Sequence, residues 1–377
     1  MAPDENPWRG GEAWRHPALA EHRSLPEGKA EVSGICIPGE LTDRGRETSL
    51  AFGKWLRWLY VDQLGLLPKH LSGPRILYVQ STQLPRVAES VQQMLHNLYP
   101  PEMNGTSAPW DIAMRSHGDE TLIRHTKSCA RLAELTRAFL RRTAENWNGS
   151  DDMKYLSEKL GKWMPSKALT VDSRRTLSGV MDMINATLAH GPDTWLPDDF
   201  YDGRVRKVIN SIVVDEWFGG YRVSGELRML GAGPLMAELV MKMRDQVEWN
   251  RNAPMQSRSS APPKLSLLGC HDSTIGVTLA SLGCLNSDEE WPPFTSHIIF
   301  ELFRRQQPEV QEVDQYSVRV RYNDRIMTIP GCRAQGKHLD GNPSLCTLVS
   351  TFLVYDTQDD HVITFHFPEP SRHFSLL

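Results

Sequence analysis

Residues 264–283 constrain the fold of this chain more than any other stretch. The apolar run over residues 265–268 has the length of a buried strand, and Gly269 ends it. Apolar side chains over residues 275–282 then recur as one packed face of a helix that stops at Gly283. A strand, a short polar turn and a helix form half of a βαβ unit, so this stretch predicts an α/β fold.

The turn between this strand and this helix carries His271 and Asp272. Free N–H groups and the helix dipole favour anions at such a junction. One interpretation is that His271 binds an anionic substrate while Asp272 gives or takes a proton. The plainer one is that Asp272 caps the helix and His271 is a loop residue. A nucleophilic Cys270 beside His271 is disfavoured, because neighbouring side chains do not easily form a nucleophile–base hydrogen bond.

The stretch from residue 75 to residue 99 repeats this design. A strand is predicted over residues 75–79, a polar turn over residues 80–83 and a helix over residues 87–99, with Arg86 at its start. The planar guanidinium of Arg86 suits the binding of an anion from the first helical turn. An arginine that merely faces solvent is the alternative interpretation.

The remaining periodicity divides the chain into four segments. We expect an irregular segment over residues 1–40, an α/β core in two parts over residues 41–103 and 261–377, and a helical cap or insert over residues 104–260. Helices are predicted at 42–64 (with Thr42 as N-cap), 128–147, 151–163, 176–190, 205–218, 235–249 and 348–354. Strands are predicted at 295–303, 316–322 and 325–329, and a loop at 332–346.

Composition excludes several classes of protein and ligand. The 377 residues are 40% hydrophobic and 23% charged, which is typical of a globular chain. A net charge of -4 and a pI near 6.4 do not indicate a nucleic-acid partner, and no apolar run is long enough for a membrane span. No metal-site spacing and no cofactor motif is found. The pattern indicates neither the oligomeric state nor the cellular compartment.

Six cysteines are too few for a disulfide framework. Cys332 and Cys346 flank a loop rich in Gly, Pro and Asn and are candidates for a pair. The other four are expected to be single.

Several motifs, in this order, resemble those of the histidine acid phosphatases, the larger branch of the histidine phosphatase superfamily. They are GELTDRG at residues 39–45, a strand followed by QST-x-x-x-R up to residue 86, GCHDST at 269–274, WPPF before a strand ending in ELF, and PGC…C with Cys332 and Cys346. The sequences WPPFTSH and LYVDQLG are most similar to fungal members and to lysophosphatidic acid phosphatases.

This resemblance implies a mixed, mainly parallel sheet flanked by helices, a phosphoglycerate mutase-like core with an α-helical cap. It implies hydrolysis of phosphomonoesters through a phosphohistidine, without a cofactor or a metal. In this chain Arg86 would bind phosphate, His271 would be a phosphate ligand, and Asp272 would protonate the leaving oxygen.

Two departures from the family pattern concern the reaction itself. The nucleophile motif R-H-G-x-R is not found: Arg15-His16 is followed by Pro, and Arg124-His125 by Thr. Proline lacks the N–H that a close approach to phosphate requires. Gln80 stands where the family has an arginine. We therefore expect a phosphatase with compromised turnover, or alternatively a pseudophosphatase that binds phosphoesters or a protein partner.

The absence of this motif also predicts a structural problem. The motif follows a central strand in the family, and its loss would leave neighbouring strands with unpaired edges. We therefore expect that the chain begins late and that another segment fills the gap, for which residues 31–37 are the candidate.

Overall fold

The computed structural model describes residues 39–71, 76–103, 110–164, 168–173, 176–191, 195–252, 261–285, 290–305, 316–339, 341–351, 354–355 and 362–363. The irregular segment predicted over residues 1–40 and the candidate strand at 31–37 therefore lie almost entirely outside the described residues.

The α-helices of the described part are α1 Asp43–Arg57, α2 Pro85–Leu98, α3 Ala130–Trp147, α4 Asp151–Leu160, α5 Leu177–His190, α6 Gly203–Val214, α7 Gly220–Val223, α8 Gly225–Gly231, α9 Gly233–Asn252, α10 Asp272–Ser281 and α11 Leu348–Thr351. The strands are β1 Leu77–Ser81, β2 Leu265–Gly269, β3 Ile298–Arg304, β4 Tyr316–Tyr322, β5 Arg325–Met327, β6 His338–Leu339, β7 Asn342–Thr347, β8 Val354–Tyr355 and β9 Val362–Ile363.

Helix α1 forms where the sequence predicts it. The Gly45 N–H donates to Thr42 Oγ1 over 3.1 Å, so Thr42 is the N-cap, and Asp43 adds a negative charge at the positive end of the dipole. The helix continues as a π-helical turn, Trp58–Gln63, which takes it to the predicted end. Helix α2 likewise begins at the expected place, with a proline in its first turn.

Strands β1 and β2 are parallel neighbours. Leu77 pairs with Leu265 at one end and Ser81 with Gly269 at the other. The outer edge of β1 is bridged by Ala113, whose N–H donates to the Val79 carbonyl over 2.9 Å. Both edges of β1 are covered, by β2 and by the segment around Ala113, whereas among the described residues β2 pairs with β1 alone. The expectation of unpaired edges next to a missing strand stays a prediction.

The C-terminal strands form a separate antiparallel sheet. Its order is β3-β4-β7-β6, and β5 pairs with β4. The α/β class is confirmed, but in the described residues parallel pairing consists of β1 with β2 and of the bridge between Gln80 and Ala113, less than the resemblance implies. Pairing across the sheet also corrects the loop predicted over residues 332–346, since β6 and β7 lie within it. Helix α11 is shorter than predicted, because strand β8 follows it.

Cys332 and Cys346 are joined by a disulfide, with their Cα atoms 5.4 Å apart. Cys346 lies in β7 opposite Val318 of β4, so the bridge ties the turn at Cys332 to the middle of the antiparallel sheet. Within the described residues, Cys129 and Cys270 are free cysteines.

Two hydrophobic clusters hold these parts together. The larger one joins the helices from α3 to α10 with strand β4, and the smaller one joins α1, α2 and β1. Leu265 and Leu267 of β2 pack against the smaller cluster. The long run of helices from α3 to α9 agrees with the helical region that the sequence predicts, whereas the domain boundaries themselves stay a prediction.

The packing of α1 on α2 yields a stability prediction. Gly53 of α1 is buried against the backbone of Met94, and a Cβ at this position would collide with the Met94 carbonyl oxygen. We expect Gly53→Ala to lower the free energy of unfolding by about 1–3 kcal/mol, because a backbone collision outweighs the better helix propensity of alanine. Thermal unfolding measures this change.

Gly149→Ala is the matched control, since a Cβ at Gly149 would meet no heavy atom within 4 Å. Equal unfolding temperatures for the two variants would contradict the close approach of α1 and α2.

Candidate active site

The pairing of β1 with β2 places two helix N-termini side by side. The Thr82 N–H, just beyond β1, donates to the Gly269 carbonyl at the end of β2 over 3.2 Å. A Cβ on Gly269 would lie 2.5 Å from Val91 Cγ2, so only glycine lets α2 pack this closely on β2. Helices α2 and α10 thus begin at the same edge of the pair. Their N–H groups and dipoles favour an anion there.

Asp272 is the first residue of α10, and N–H groups hold both of its carboxyl oxygens. The Ser273 N–H donates to Oδ1 over 2.7 Å, and the Trp291 indole N–H donates to Oδ2 over 2.8 Å. The N-cap residue is His271, which has extended backbone geometry. Asp272 therefore occupies the first helical position instead of the N-cap position, while its Oδ1 still accepts one N–H of the first turn.

His271 lies beside this carboxyl group, half-buried. Within the described residues its Nε2 atom is buried and has no hydrogen-bond partner. Burial lowers the pKa of His271 below 6.5, the Arg86 charge lowers it further, and Asp272 partly offsets both. The imidazole is thus neutral near neutral pH, and it gains a proton readily when an anion binds beside it.

Arg86 supplies the positive charge of the site. It stands in the first turn of α2 and is solvent-exposed, and its Nη1 atom lies 3.5 Å from the position of a Cβ on Gly39. In the part of the chain that the structure describes, no carboxylate forms an ion pair with Arg86. Its charge nevertheless acts on His271 and on Asp182, so the guanidinium lies near both groups.

A second carboxyl group, that of Asp182 on α5, lies near the site. Desolvation by the surrounding protein and the charge of Asp272 raise its pKa, whereas the charge of Arg86 lowers it. The side chain is exposed to solvent. No motif marks Asp182 in the sequence, because only the packing of α5 brings it near Asp272.

Gln80 is fully buried and neutral at the end of β1. Its Nε2 donates to Glu120 Oε1 over 3.2 Å, and the Tyr78 hydroxyl donates to its Oε1 over 2.9 Å. Glu120 is 3% exposed, and within the described residues its Oε2 has no partner. The position where the family has an arginine therefore holds an amide that contacts a buried acid and adds no charge.

Two other residues considered in the sequence, Cys270 and Arg124, have surroundings that disfavour a role in the reaction. Burial raises the pKa of the Cys270 thiol to about 12, so it is a poor source of thiolate, which further disfavours the Cys270 interpretation. Arg124 stacks on Trp217, with its guanidinium carbon 4.4 Å from the ring centroid. Arg15 and His16 lie outside the described residues.

The segment that contains Arg124 contacts helix α10. Thr274 Oγ1 of α10 donates to the Leu122 carbonyl over 2.6 Å. The described residues contain no cluster of three or more His, Cys, Asp or Glu side chains that could hold a metal ion. Nor does any helix among them have the length and apolar character needed to cross a bilayer.

Comparison with protein families decides the relationship. The family model described as the histidine phosphatase superfamily (branch 2) matches residues 13–323. The chain belongs to this family. A probable acid phosphatase of Schizosaccharomyces pombe is 32% identical over 362 residues, covering 86% of this chain and 75% of that protein. Mouse lysophosphatidic acid phosphatase type 6 is 25% identical, covering 84% and 69% respectively.

Solved structures agree on the fold. The phytase of a Klebsiella species superposes with a TM-score of 0.55 and 16% identity, and 83% of each chain is covered. A Hafnia alvei phytase in complex with tartrate superposes with a TM-score of 0.56 and 15% identity, covering 85% of this chain and 88% of the phytase. The histidine phosphatase fold and the likeness to fungal and lysophosphatidic acid phosphatases are thereby confirmed.

The lowered pKa of His271 predicts how anion binding depends on pH. A bound dianion raises this pKa, so binding takes up a proton, and affinity increases as the pH falls through the range between the two values. Sulfate stays dianionic throughout, and we expect it to bind more tightly at pH about 5 than at pH about 8. Calorimetric titration measures the slope.

His271→Gln should flatten most of this dependence. Asp182→Asn is the necessary control, because protonation of the Asp182 carboxyl also favours anions at low pH. If the slope were unchanged in His271→Gln and absent in Asp182→Asn, the proton would be taken up by Asp182 and the assignment to His271 would be wrong.

Proposed function

We propose that this protein binds phosphomonoesters at Arg86, His271 and Asp272, as an acid phosphatase-like hydrolase with compromised turnover. The supporting observation is the geometry of the site: a guanidinium that has no carboxylate partner among the described residues and a neutral imidazole lie at the N-termini of α2 and α10, next to a carboxyl group. This arrangement suits a tetrahedral dianion with one ester oxygen.

Each residue has a distinct role in this proposal. Arg86 binds the phosphoryl oxygens through charge-assisted hydrogen bonds, which also stabilise charge that develops during transfer. His271 donates a hydrogen bond to the same group from its unpartnered Nε2. Asp272, in its carboxylic acid form, gives its proton to the leaving ester oxygen. The products are inorganic phosphate and an alcohol once water has replaced the leaving group.

Turnover is proposed to be compromised because two elements of the family site are missing from this sequence. No R-H-G-x-R motif supplies a nucleophilic histidine, and Gln80 adds no charge beside the phosphoryl group. A site that keeps one arginine binds the ground state but provides less stabilisation to a transition state with more negative charge on its oxygens.

A second candidate function follows from the surroundings of Gln80. Its hydrogen bond to the buried Glu120 integrates a neutral amide into the core, which favours a non-catalytic pseudophosphatase. Such a protein would use the same residues, Arg86, His271 and Asp272, to bind a phosphoester or a phosphorylated partner. The two functions share the binding residues and differ in whether phosphate is released.

Phosphate release and phosphate binding, measured together, test the proposal. We expect slow release from an aryl phosphate at mildly acid pH, and a further loss in Asp272→Asn. Arg86→Ala should weaken the binding of inorganic phosphate about tenfold or more, since a hydrogen bond to a charged group contributes about 1.5–3 kcal/mol. Arg137→Ala is the matched control, because Arg137 is exposed on α3 and its Nε donates to the Ala133 carbonyl of the same helix.

Binding without release would favour the pseudophosphatase. Equal affinities for phosphate in Arg86→Ala and in the unchanged protein would refute the assignment of the site.

The missing charge at position 80 can be restored. In Gln80→Arg, the guanidinium can pair with the unpartnered Oε2 of Glu120 and face the site, so we expect phosphate affinity to rise about tenfold. Gln83→Arg adds the same charge to an exposed position of the same turn and serves as the control. Equal gains in the two variants would show a general charge effect, and thermal unfolding confirms that each variant is folded.

A further inference from the structure

We propose that Trp291 is the positioning residue for the Asp272 carboxyl group, an inference that rests on the proton-donor role proposed for Asp272. The indole N–H donates to Asp272 Oδ2 over 2.8 Å. An indole nitrogen is a donor only, so Oδ2 is the accepting oxygen in either protonation state of the carboxyl group. Because the Ser273 N–H donates to the other oxygen, Oδ1, over 2.7 Å, the two contacts together fix the rotation of the carboxyl group.

Trp291 is itself held in place from several sides. Its backbone N–H donates to Asn210 Oδ1 over 2.9 Å. Its ring stacks on Phe218 with centroids 4.8 Å apart and planes 22° apart, and it meets Trp217 edge-on at 5.8 Å. The residue is 9% exposed. An indole packed in this way has one orientation, so its N–H points at a single place.

The aromatic stack rests on the helix that carries the acid. Phe218 is fully buried against Gly276, where any Cβ would collide with its ring. Gly276 follows Asp272 by one turn of α10, so the two residues share a face of the helix. The ring that supports Trp291 and the carboxyl group that Trp291 contacts are therefore held by the same rigid element.

Orientation of the acid matters most for poor leaving groups. An alkoxide is a strong base and departs only if it is protonated as the bond to phosphorus breaks, whereas para-nitrophenolate departs with little help. A carboxyl group that loses its fixed orientation still binds substrate but transfers its proton less efficiently. Trp291 thus extends the substrate range toward phosphate esters of aliphatic alcohols.

The test compares two phenylalanine variants on two substrates. Trp291→Phe keeps an aromatic ring and removes the N–H that contacts Asp272. Trp217→Phe is the matched control: it lies in the same stack, and within the described residues its indole N–H has no partner. In Trp291→Phe, we expect kcat for glycerol phosphate to fall about tenfold more than kcat for para-nitrophenyl phosphate, with KM unchanged. Trp217→Phe should change both rates by the same factor.

The hydrogen bond has a spectroscopic signature that does not require turnover. In protein labelled with ¹⁵N-tryptophan, the indole signal absent from Trp291→Phe identifies this side chain. We expect that signal to move when Asp272 is replaced by Asn, and the Trp217 signal to move less. An indole signal of Trp291 that ignores Asp272→Asn would overturn the contact.

The kinetic outcomes separate this inference from the proposed function. If the unchanged protein releases phosphate and Trp291→Phe slows both substrates equally, the positioning role is refuted while the hydrolase function stands. If the unchanged protein releases phosphate from neither substrate, the hydrolase function fails and the positioning role fails with it. A selective loss on glycerol phosphate, absent in Trp217→Phe, supports the inference.

Discussion

The pairing of Ser81 with Gly269 is the contact on which the candidate site depends. It is the last pair in the parallel register of β1 and β2, so the two strands end side by side. The helix that follows each strand therefore begins at the same edge. A shift of one residue would move every side chain of the strand to the opposite face. Glycine at position 269 reinforces this register, because α2 packs directly on it.

Among the described residues, charge is sparse at this edge for a proposed phosphate site. Arg86 is the exposed cation there, whereas His271 is kept neutral by burial and Gln80 is tied to the buried Glu120. Against it stand the carboxyl groups of Asp182 and Asp272, so proton uptake is part of anion binding. The site therefore responds to pH through the balance of these groups, and mildly acid conditions shift that balance toward an anion.

Behind the polar groups, an aromatic stack gives the site its rigidity. Phe218 and Trp217 pack against Trp291, and the stack ends at the Asp272 carboxyl group. Aromatic rings have few rotamers and lose little entropy when buried, which makes them effective supports for a group that must hold one orientation. Helix α5 thus contributes a second carboxyl group near the site, and the aromatic stack supports the acid.

Local pattern alone was enough to predict helices α1, α2 and α10, the β1 and β2 strands, and the placement of Arg86, His271 and Asp272 at strand–helix junctions. These features depend on caps, glycines and apolar spacing, which act over a few residues. Pairing β1 with β2, the hairpin that contains Cys346, and the approach of Asp182 and Trp291 to Asp272 were decided by tertiary packing. Contacts between residues distant in the chain leave no local periodicity, so a single sequence does not reveal them.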